Sequence, residues 1–366
     1  MKDKISAPLQ PYPPITLSPN STIGILGAGQ LGKMLAEAAT KLGFKTHVYA
    51  PDEDPIAASA ATHFTHASYD DLAKLQAFAN SVDVITLEFE NVPTAPLKTL
   101  TTPIYPGIEI LEISQHRVKE KTLANSLGIK TAPFRAVHNQ EELNQAIKAI
   151  GSGILKTCTM GYDGKGQWKN PVEIPAPGDY IYEGFIDFTT EISVIVARNT
   201  RGEIECFEPV ENVHKNHILH TTTAPANISD DVRNKAIVIA TTLAQSLNVV
   251  GLLAVEMFVT APPFIPPASG EEIGGEILVN EIAPRPHNSG HWTLDGCSVS
   301  QFEQAIRAVT GLPLIKPERT ASKVVMTNLI GDDVLKPHTG HVHIYGKKEI
   351  RPGRKMGHVT FLVASR

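Results

Sequence analysis

A glycine-rich turn between an apolar run and a helical pattern is the feature that most restricts how this chain can fold. The apolar run begins at Thr22 and enters Gly27-Ala28-Gly29-Gln30-Leu31-Gly32, and apolar residues recur at helical spacing from Gln30 to Leu42. Glycines at these positions let backbone N–H groups come close to another strand or to a phosphate. The pattern therefore predicts a strand, a tight turn and a helix.

Two further strands follow, separated by a helix. Lys45–Ala50 and Val82–Leu87 are the predicted strands, and Leu72–Ala79 is the predicted helix. Strands that alternate with helices indicate a parallel sheet covered by helices. We therefore expect a doubly wound, Rossmann-like α/β domain over about the first 110 residues.

Asp52 stands twenty residues beyond Gly32, after the second predicted strand. This spacing matches the dinucleotide-binding fingerprint, in which the turn binds a pyrophosphate and the acid binds a ribose hydroxyl. An NAD-dependent oxidoreductase is therefore one interpretation of these residues. A turn that serves only the packing of strand against helix is the other, because the motif is weakly specific.

Length and charge exclude several classes of protein. The 366 residues correspond to two or three domains, and a formal net charge of -5 gives no overall attraction to nucleic acids or anionic membranes. Three cysteines without a C-x-x-C motif argue against a disulfide framework. The proline-rich start lacks the apolar core of a signal peptide, and no apolar run reaches about 18 residues, so we expect a cytoplasmic protein without membrane segments.

A different order of elements follows the first domain, and it is typical of an α+β arrangement. The predicted helices are Ser114–Leu127, Glu141–Ile150 and Asp230–Leu247, and the predicted strands are Tyr180–Phe185, Ile192–Ala197, Leu252–Thr260 and Glu276–Ile282. The last two strands are joined by a connection rich in proline and glycine.

Lys156 precedes a polar stretch, Thr159–Asn170, that contains three glycines. Such a loop can place backbone N–H groups and a positive charge over phosphates. It is not a Walker A motif, because no G-x-x-x-x-G-K-[ST] is present. A mobile phosphate-covering loop and a solvated hairpin tip are equally consistent with these residues.

Two acids lie within strongly apolar strand patterns, Glu256 in Ala-Val-Glu-Met-Phe and Glu281 in Val-Asn-Glu-Ile-Ala. Buried carboxylates need cations or protons. Mg²⁺ takes one or two carboxylates together with nucleotide phosphates, and Asn280 adds another oxygen. The pair therefore favours a metal–nucleotide site over two surface acids.

Two later segments combine cations with polar groups. In Ala283–His291, Arg285 and Asn288 suit the binding of an oxyanion, whereas a loop broken by proline and glycine argues against zinc at the histidines. Five cations between Lys347 and Lys355 form a candidate phosphate pocket, although a solvated charged turn has the same composition.

Three motifs together resemble the N5-carboxyaminoimidazole ribonucleotide synthase family, which are ATP-grasp enzymes of purine synthesis. They are Gly-Tyr-Asp-Gly-Lys-Gly-Gln at 161–167, Asn-Glu-Ile-Ala-Pro-Arg-Pro-His-Asn-Ser-Gly-His at 280–291 and Arg-Pro-Gly-Arg-Lys-Met-Gly-His at 351–358. The resemblance implies an ATP-grasp fold in which the Rossmann-like domain binds a ribonucleotide instead of NAD. The implied segments are a flexible leader at 1–20, the N-terminal domain at 21–113, a small ATP-grasp subdomain at 114–190 with its glycine-rich lid at 159–170, and a large lobe at 191–366 that ends in a small β-rich domain from about residue 320.

The implied reaction joins ATP, bicarbonate and 5-aminoimidazole ribonucleotide through carboxyphosphate, and it gives ADP, phosphate and the N5-carbamate. By resemblance, Glu256 and Glu281 hold Mg²⁺, for which Mn²⁺ can substitute. The residues that it assigns to ATP are Arg117, Lys156, Gly161, Tyr162, Asp163, Gly164, Lys165, Gly166, Gln167, Glu183, Gly184, Phe185, Ile186, Glu191, His214, Asn280 and Glu281. Lys165 stands where the family often has arginine, which keeps the charge and loses the bidentate fork.

The ribonucleotide is assigned to Glu88, Tyr162, Asp163, Arg285, His287, Asn288, Lys347 and Arg354. Arg285, Lys347 and Arg354 would bind its 5′-phosphate, with Lys348 as the alternative to Lys347. Catalysis and bicarbonate binding are assigned to Arg285, His287 and Asn288, with Tyr162 and Asp163 closing over the substrate.

Carboxyphosphate is destroyed by water, so the lid at 159–170 is predicted to be mobile until nucleotide binds. The resemblance also implies a homodimer and a mutase that accepts the product. Three alternatives remain: another ATP-grasp ligase acting on a purine-pathway ribonucleotide, the NAD-dependent oxidoreductase, and a nucleotide-binding protein without turnover.

Overall fold

The structure is a computed structural model that describes residues 15–161, 166–261 and 275–364. Within these ranges, no helix is both long and apolar enough to cross a membrane. The described end of the proline-rich leader packs against the large lobe, where Leu17 N–H donates to Thr310 O (2.9 Å). Residues 1–14 of the leader and residues 262–274 of the proline- and glycine-rich connection lie outside the described residues.

The N-terminal domain is built on a parallel four-stranded sheet with the order β3-β2-β1-β4. Its elements are β1 (Thr22–Leu26), α1 (Gln30–Lys41), β2 (Lys45–Ala50), β3 (His63–His66), α2 (Leu72–Ala79) and β4 (Val84–Leu87). The predicted Rossmann-like sheet is therefore confirmed. Its edge strand β3 has no apolar alternation and is only half buried, which explains why the sequence pattern did not predict it.

Three short helices connect this sheet to the rest of the chain: α3 (Thr94–Leu97), α4 (Ile108–Ser114) and α5 (Arg117–Ser126). The single helix predicted at Ser114–Leu127 is wrong, because His116 is extended (φ -135°, ψ 104°) and a new helix starts after it. Arg117 is consequently the first residue of α5, with its backbone N–H bonded to Cys158 O (3.0 Å).

The second sheet is small and antiparallel, with the order β5-β8-β6-β7. Its elements are β5 (Phe134–Val137), α6 (Gln140–Ile150), β6 (Gly153–Thr157), β7 (Gln167–Lys169) and β8 (Tyr180–Gly184). The stretch predicted to be a loop at Thr159–Asn170 is therefore partly strand, since β7 pairs with β6 through Lys156 and Gln167. Residues 162–165 of this stretch lie outside the described residues.

The third sheet has nine strands in the order β14-β13-β9-β11-β12-β15-β17-β16, with β10 paired to β9. Its elements are β9 (Phe188–Arg198), β10 (Ile204–Cys206), β11 (Val210–Lys215), β12 (Ile218–Ala224), α7 (Asp230–Ser246), β13 (Gly251–Thr260), β14 (Ile277–Ala283), α8 (Thr293–Gly296), α9 (Gln301–Thr310), β15 (Lys323–Ile330), β16 (His341–Ile344) and β17 (Lys355–Val363). The C-terminal strands therefore extend the sheet of the large lobe through the pairing of β12 with β15.

Alternation along the central strands decides which side chains reach the site. On β13, Leu253 and Val255 pack towards α7, whereas Leu252 and Ala254 belong to the core that contains α9 and α1. Side chains two residues apart share a face of a strand. Glu256 consequently lies on the side of the sheet that faces α9 and the N-terminal domain.

Candidate active site

A cavity of about 760 Å³ opens where the three sheets meet. Its lining brings together most of the predicted site residues: Glu88, Arg117, Lys156, Gly161, Gln167, Phe185, Glu191, His214, Glu256, Asn280, Glu281, Arg285, His287 and Asn288. Six others are not in this lining, namely Gly166, Glu183, Gly184, Ile186, Lys347 and Arg354. Tyr162, Asp163, Gly164 and Lys165 lie outside the described residues.

Two acids form the floor of the cavity. Glu256 on β13 lies directly opposite Glu281 on β14 in the strand register, and Glu256 is 8% exposed. Burial, together with the carboxylates of Glu281 and Glu191, raises the pKa of Glu256 well above its usual range. A divalent cation would relieve this repulsion, since hard cations prefer carboxylate oxygens. The residues present therefore fit a Mg²⁺ site.

Arg117 joins the acid floor to the start of the glycine loop. Its guanidinium donates to Glu281 Oε2 (3.1 Å) and to Gly161 O (3.2 Å). The half-exposed Glu281 thus has a cationic partner in direct contact. The buried Glu256 contacts the ring of His287, with Nε2 3.2 Å from Oε1, and the charges of Lys355 and Arg285 act on it as well. The break between α4 and α5 places Arg117 at this junction.

Glu183 turns away from the cavity into a buried ion network. Lys156 Nζ donates to Glu183 Oε2 (2.7 Å), and Lys121 Nζ lies 3.6 Å from Glu183 Oε1. Burial opposes ionisation, yet Lys121 and Lys156 lower the pKa of Glu183. Lys121 was not predicted, because a lysine in a charged helix gives no signal that separates a buried position from a solvated one.

Part of the expected adenine hinge is engaged within the small sheet. Gly184 N–H donates to Pro133 O (2.9 Å), and the strand pairs Glu183 with Ile154. Phe185 follows the end of β8 and lines the cavity. Phe185 N–H is engaged as well, with Ser152 O (3.3 Å), so backbone donors for a base would come from the residues after Phe185.

The glycine turn binds a carboxylate of the protein itself. Glu88 Oε1 accepts from Gly29 N–H (2.6 Å) and Oε2 accepts from Gly32 N–H (2.7 Å). Burial raises the pKa of Glu88, although the two amide bonds oppose this effect. Gly27 has φ +105°, and a Cβ there would lie 2.3 Å from Glu88 Cγ. A dinucleotide phosphate would need these same N–H groups, so the bonds to Glu88 exclude NAD from the turn.

Arg285 is held by Glu90, an acid that no sequence motif indicated. Its guanidinium binds both carboxylate oxygens of Glu90, with Nη2 2.9 Å from Oε1 and Nε bonded to Oε2. Glu90 stands two residues after Glu88, so a repeat of acids at the strand end is the signal that was available. Asn328 Nδ2 donates to Asn288 Oδ1 (2.5 Å), which orients the Asn288 amide at the cavity wall.

The C-terminal cations contact the N-terminal domain through Asp54. Arg354 Nη2 lies 3.5 Å from Asp54 Oδ2, and Lys348 N–H donates to the same oxygen (3.1 Å). Burial, followed by the charges of Arg354 and Lys355, lowers the pKa of Lys347 to about 8. Lys347 is thus a half-buried cation close to other cations, whereas Lys348 is exposed, which favours Lys347 for an anionic ligand.

Family comparisons cover nearly the whole chain. Residues 20–115 match the ribonucleotide synthetase preATP-grasp domain, residues 122–302 match the ATP-grasp domain, and residues 324–366 match the phosphoribosylaminoimidazole carboxylase C-terminal domain. An N5-carboxyaminoimidazole ribonucleotide synthase of Brucella melitensis is 45% identical over 364 residues, which covers 94% of this chain and 97% of the relative. The bifunctional purine synthesis protein purC/E of Dictyostelium discoideum is 43% identical over 380 residues and 94% of this chain, which spans 37% of that longer protein.

Solved structures agree with these relatives. The ADP complex of purK, an N5-carboxyaminoimidazole ribonucleotide synthetase, has a TM-score of 0.87 and 40% identity and covers 96% of this chain and 94% of its own. The N5-carboxyaminoimidazole synthase of Aspergillus clavatus, in complex with ADP and 5-aminoimidazole ribonucleotide, has a TM-score of 0.82 and 28% identity and covers 95% of both chains. These matches and the occupied glycine turn overturn the oxidoreductase interpretation. The chain belongs to the N5-carboxyaminoimidazole ribonucleotide synthase family of ATP-grasp ligases.

Proposed function

We propose that this chain carboxylates 5-aminoimidazole ribonucleotide in an ATP-dependent step of purine synthesis. Bicarbonate would supply the carboxyl group through carboxyphosphate, and the products would be ADP, phosphate and N5-carboxyaminoimidazole ribonucleotide. The observation that carries the proposal is a single cavity in which the acid pair Glu256 and Glu281 lies beside the Arg285–Asn288 segment. The relatives bound to ADP and to the ribonucleotide support both substrates.

ATP would lie between the small sheet and the nine-stranded sheet. Lys156 supplies a cation for its phosphates, and Glu191, whose Oε2 lies 2.9 Å from His214 Nδ1, supplies acceptors for ribose hydroxyls. The loop Gly161–Gln167 would close over the phosphates, and closure would exclude the water that destroys carboxyphosphate.

Glu256 and Glu281 would hold Mg²⁺, with Mn²⁺ as a substitute. The ion would supply charge screening for the transferring phosphoryl group, which is the main catalytic requirement of this chemistry. The chain's own contribution is the fixed spacing of the two acids across β13 and β14, while Arg117 adds a cation beside them.

The ribonucleotide would enter from the N-terminal side of the cavity. Arg285, Lys347 and Arg354 would bind its 5′-phosphate, because a charge near minus two favours several cations. Glu88 would contact its ribose or base, and Tyr162 and Asp163 would complete the site on closure. A bicarbonate oxygen bound by Arg285, His287 and Asn288 would attack the γ-phosphate, and the resulting carboxyphosphate would release CO₂ beside the substrate amine.

Other features are proposed from the family resemblance. The domain boundaries are 21–113, 114–190 and 191–366, the lid at 159–170 is mobile without nucleotide, and the chain acts as a cytoplasmic homodimer. Its unstable product would pass to a mutase. Neither nucleic acid nor a membrane is required as a partner.

The proposal is tested by following ADP release with ATP, Mg²⁺, bicarbonate and the ribonucleotide. We expect release that depends on the ribonucleotide, and a fall of about 100-fold or more in Glu281→Gln with unchanged thermal unfolding. Glu276→Gln, an exposed acid just before β14, is the matched control and should retain activity. Full activity in Glu281→Gln would refute the metal assignment, and NAD binding without ADP release would refute the ligase reaction.

A further inference from the structure

A chain of buried hydrogen bonds leads from His287 into the large sheet. His287 Nδ1 lies 2.9 Å from Ser289 Oγ, and Ser289 Oγ lies 2.8 Å from Ser193 Oγ. Asn212 Nδ2 donates to Ser193 Oγ (2.9 Å), and Thr222 Oγ1 donates to Asn212 Oδ1 (2.9 Å). Ser193, Ser289 and Thr222 have no exposed surface, and Asn212 is 4% exposed. Four polar side chains are thus buried behind one imidazole.

The strand register places these groups together. Ser193 follows the cavity-lining Glu191 by two residues on β9, so both side chains lie on the same face. Asn212 on β11 lies opposite both Glu191 on β9 and Thr222 on β12. The chain of hydrogen bonds therefore runs across three adjacent strands, β9, β11 and β12, under the floor of the cavity.

The backbone of His287 is fixed independently of its ring. Its N–H donates to Gln301 Oε1 (2.9 Å), and Gln301 Nε2 donates to His287 O (2.7 Å). Gln301 is fully buried at the start of α9. The backbone position from which the ring extends is therefore fixed, and the contacts of Nδ1 and Nε2 decide which of the two nitrogens carries the proton.

The direction of every bond follows from the two ring nitrogens. Ser289 N–H points at His287 Nδ1 (3.4 Å), which requires a lone pair on Nδ1. A neutral imidazole then carries its proton on Nε2, and Nε2 lies 3.2 Å from Glu256 Oε1. Each hydroxyl has one proton, so Ser289 donates to His287 and Ser193 donates to Ser289.

We propose that Ser289, Ser193 and Asn212 are positioning residues that hold His287 as the neutral Nε2–H tautomer. In this form His287 is a hydrogen-bond donor towards Glu256 and the carboxylating end of the cavity, and it is not a proton acceptor there. One oxygen of Glu256 is thereby oriented while the other is left for a cation, as hydrogen bonds to a metal-binding carboxylate commonly do. The consequence for turnover rests on the proposed function, whereas the tautomer rests on the described geometry alone.

The tautomer is measured by NMR of protein labelled with ¹⁵N-histidine, in which long-range proton correlations distinguish protonated from unprotonated ring nitrogens. The His287 signals are identified by their loss in His287→Gln. We expect an unprotonated Nδ1 and a protonated Nε2. A proton on Nδ1 of the wild-type protein would overturn the inference, whatever the activity of any variant.

The positioning role is measured with Ser289→Ala and Ser193→Ala. Loss of one net hydrogen bond predicts a fall in kcat of up to about tenfold in Ser289→Ala, with less than about a twofold change in KM. The Nδ1 resonance should move towards the value of a nitrogen that keeps only the weak backbone N–H donor of residue 289. Ser193→Ala should give a smaller change in the same direction.

Thr360→Val is the matched control. Thr360 is also fully buried, and its hydroxyl has no hydrogen-bond partner among the described residues. It should leave both the His287 resonances and kcat unchanged. An unchanged Nδ1 resonance and kcat in Ser289→Ala would overturn the positioning role. Absence of ADP release in the wild-type protein would refute the proposed function, and the NMR measurement would still decide the tautomer.

Discussion

Lys121 contacts two walls of the active site, and its replacement by methionine tests how much this connection contributes to the free energy of unfolding. Only 1% of its side chain is exposed. Its Nζ donates to Asn280 O (2.9 Å) on β14 and lies 3.6 Å from Glu183 Oε1 on β8. The first strand carries an acid of the proposed metal site, and the second carries the expected adenine hinge. We therefore expect Lys121→Met to weaken the join between the small and the large sheet.

The magnitude follows from what the variant leaves unpaired. Asn280 O loses a donor, and a hydrogen bond from a charged group contributes about 1.5–3 kcal/mol. Glu183 loses one of two cations, and a buried charge left without any partner costs about 3–5 kcal/mol. Lys156 still binds Glu183 at 2.7 Å, so the second cost is only partly felt. We expect the free energy of unfolding to fall by about 3 kcal/mol.

Urea unfolding followed by circular dichroism measures this change. A double-mutant cycle with Glu183→Gln should show a coupling free energy of about 1–2 kcal/mol, because the two side chains share one network. Lys130→Met is the control, since Lys130 is 67% exposed and its pair with Glu276 should contribute under about 1 kcal/mol. A loss in Lys121→Met no larger than that in Lys130→Met, or full additivity in the cycle, would refute the reasoning.

Three further predictions concern other parts of the molecule. Burial raises the pKa of Glu120 from 4.5 to about 8, so between these pH values the folded state holds a proton that the unfolded chain releases, and the free energy of unfolding falls as pH rises. Glu120→Gln should flatten this pH dependence in urea unfolding, and an equal slope in the variant and the wild-type protein would contradict the assignment. Gly27→Ala should destabilise the protein by about 2 kcal/mol or more in the same assay, because its Cβ would clash with Glu88, whereas Gly43→Ala, with φ +84° and no atom within 4 Å of the added Cβ, should cost less. Equal losses in the two variants would show that the positive φ, and not the clash with Glu88, determines the cost. Limited proteolysis should cut within 159–170 in the free protein, and cutting that ATP does not suppress would contradict closure of the lid.

Long periodic elements were predictable from the chain. The predicted helix at Gln30–Leu42 is observed at Gln30–Lys41, and the predicted strand at Lys45–Ala50 is observed with the same bounds. The single helix at Ser114–Leu127 was wrong because His116 is extended and Arg117 N–H bonds to Cys158 O, a tertiary contact that no local pattern encodes. The strand in the lid stretch was missed because its pairing with β6 is a tertiary contact.

The site divides in the same way. Arg285, His287 and Asn288 were found because they are close in sequence and follow an apolar strand. Glu90 and Lys121 were missed because their partners are 195 and 159 residues away. Contacts at such separations leave no periodic trace, so the burial of these two side chains could be recognised only once the sheets were assembled.

The order of chemical groups along the chain determined the family, the parallel N-terminal sheet and the reacting segments, because these depend on contiguous motifs and on alternation within single strands. Tertiary structure alone decided that Glu88 occupies the glycine turn, that Glu90 binds Arg285, and that a buried polar chain stands behind His287. The physical reason is that the stability of a buried charge or polar group depends on its partner in space. That partner is chosen by strand register and sheet packing, which bring distant parts of the chain to within hydrogen-bonding distance.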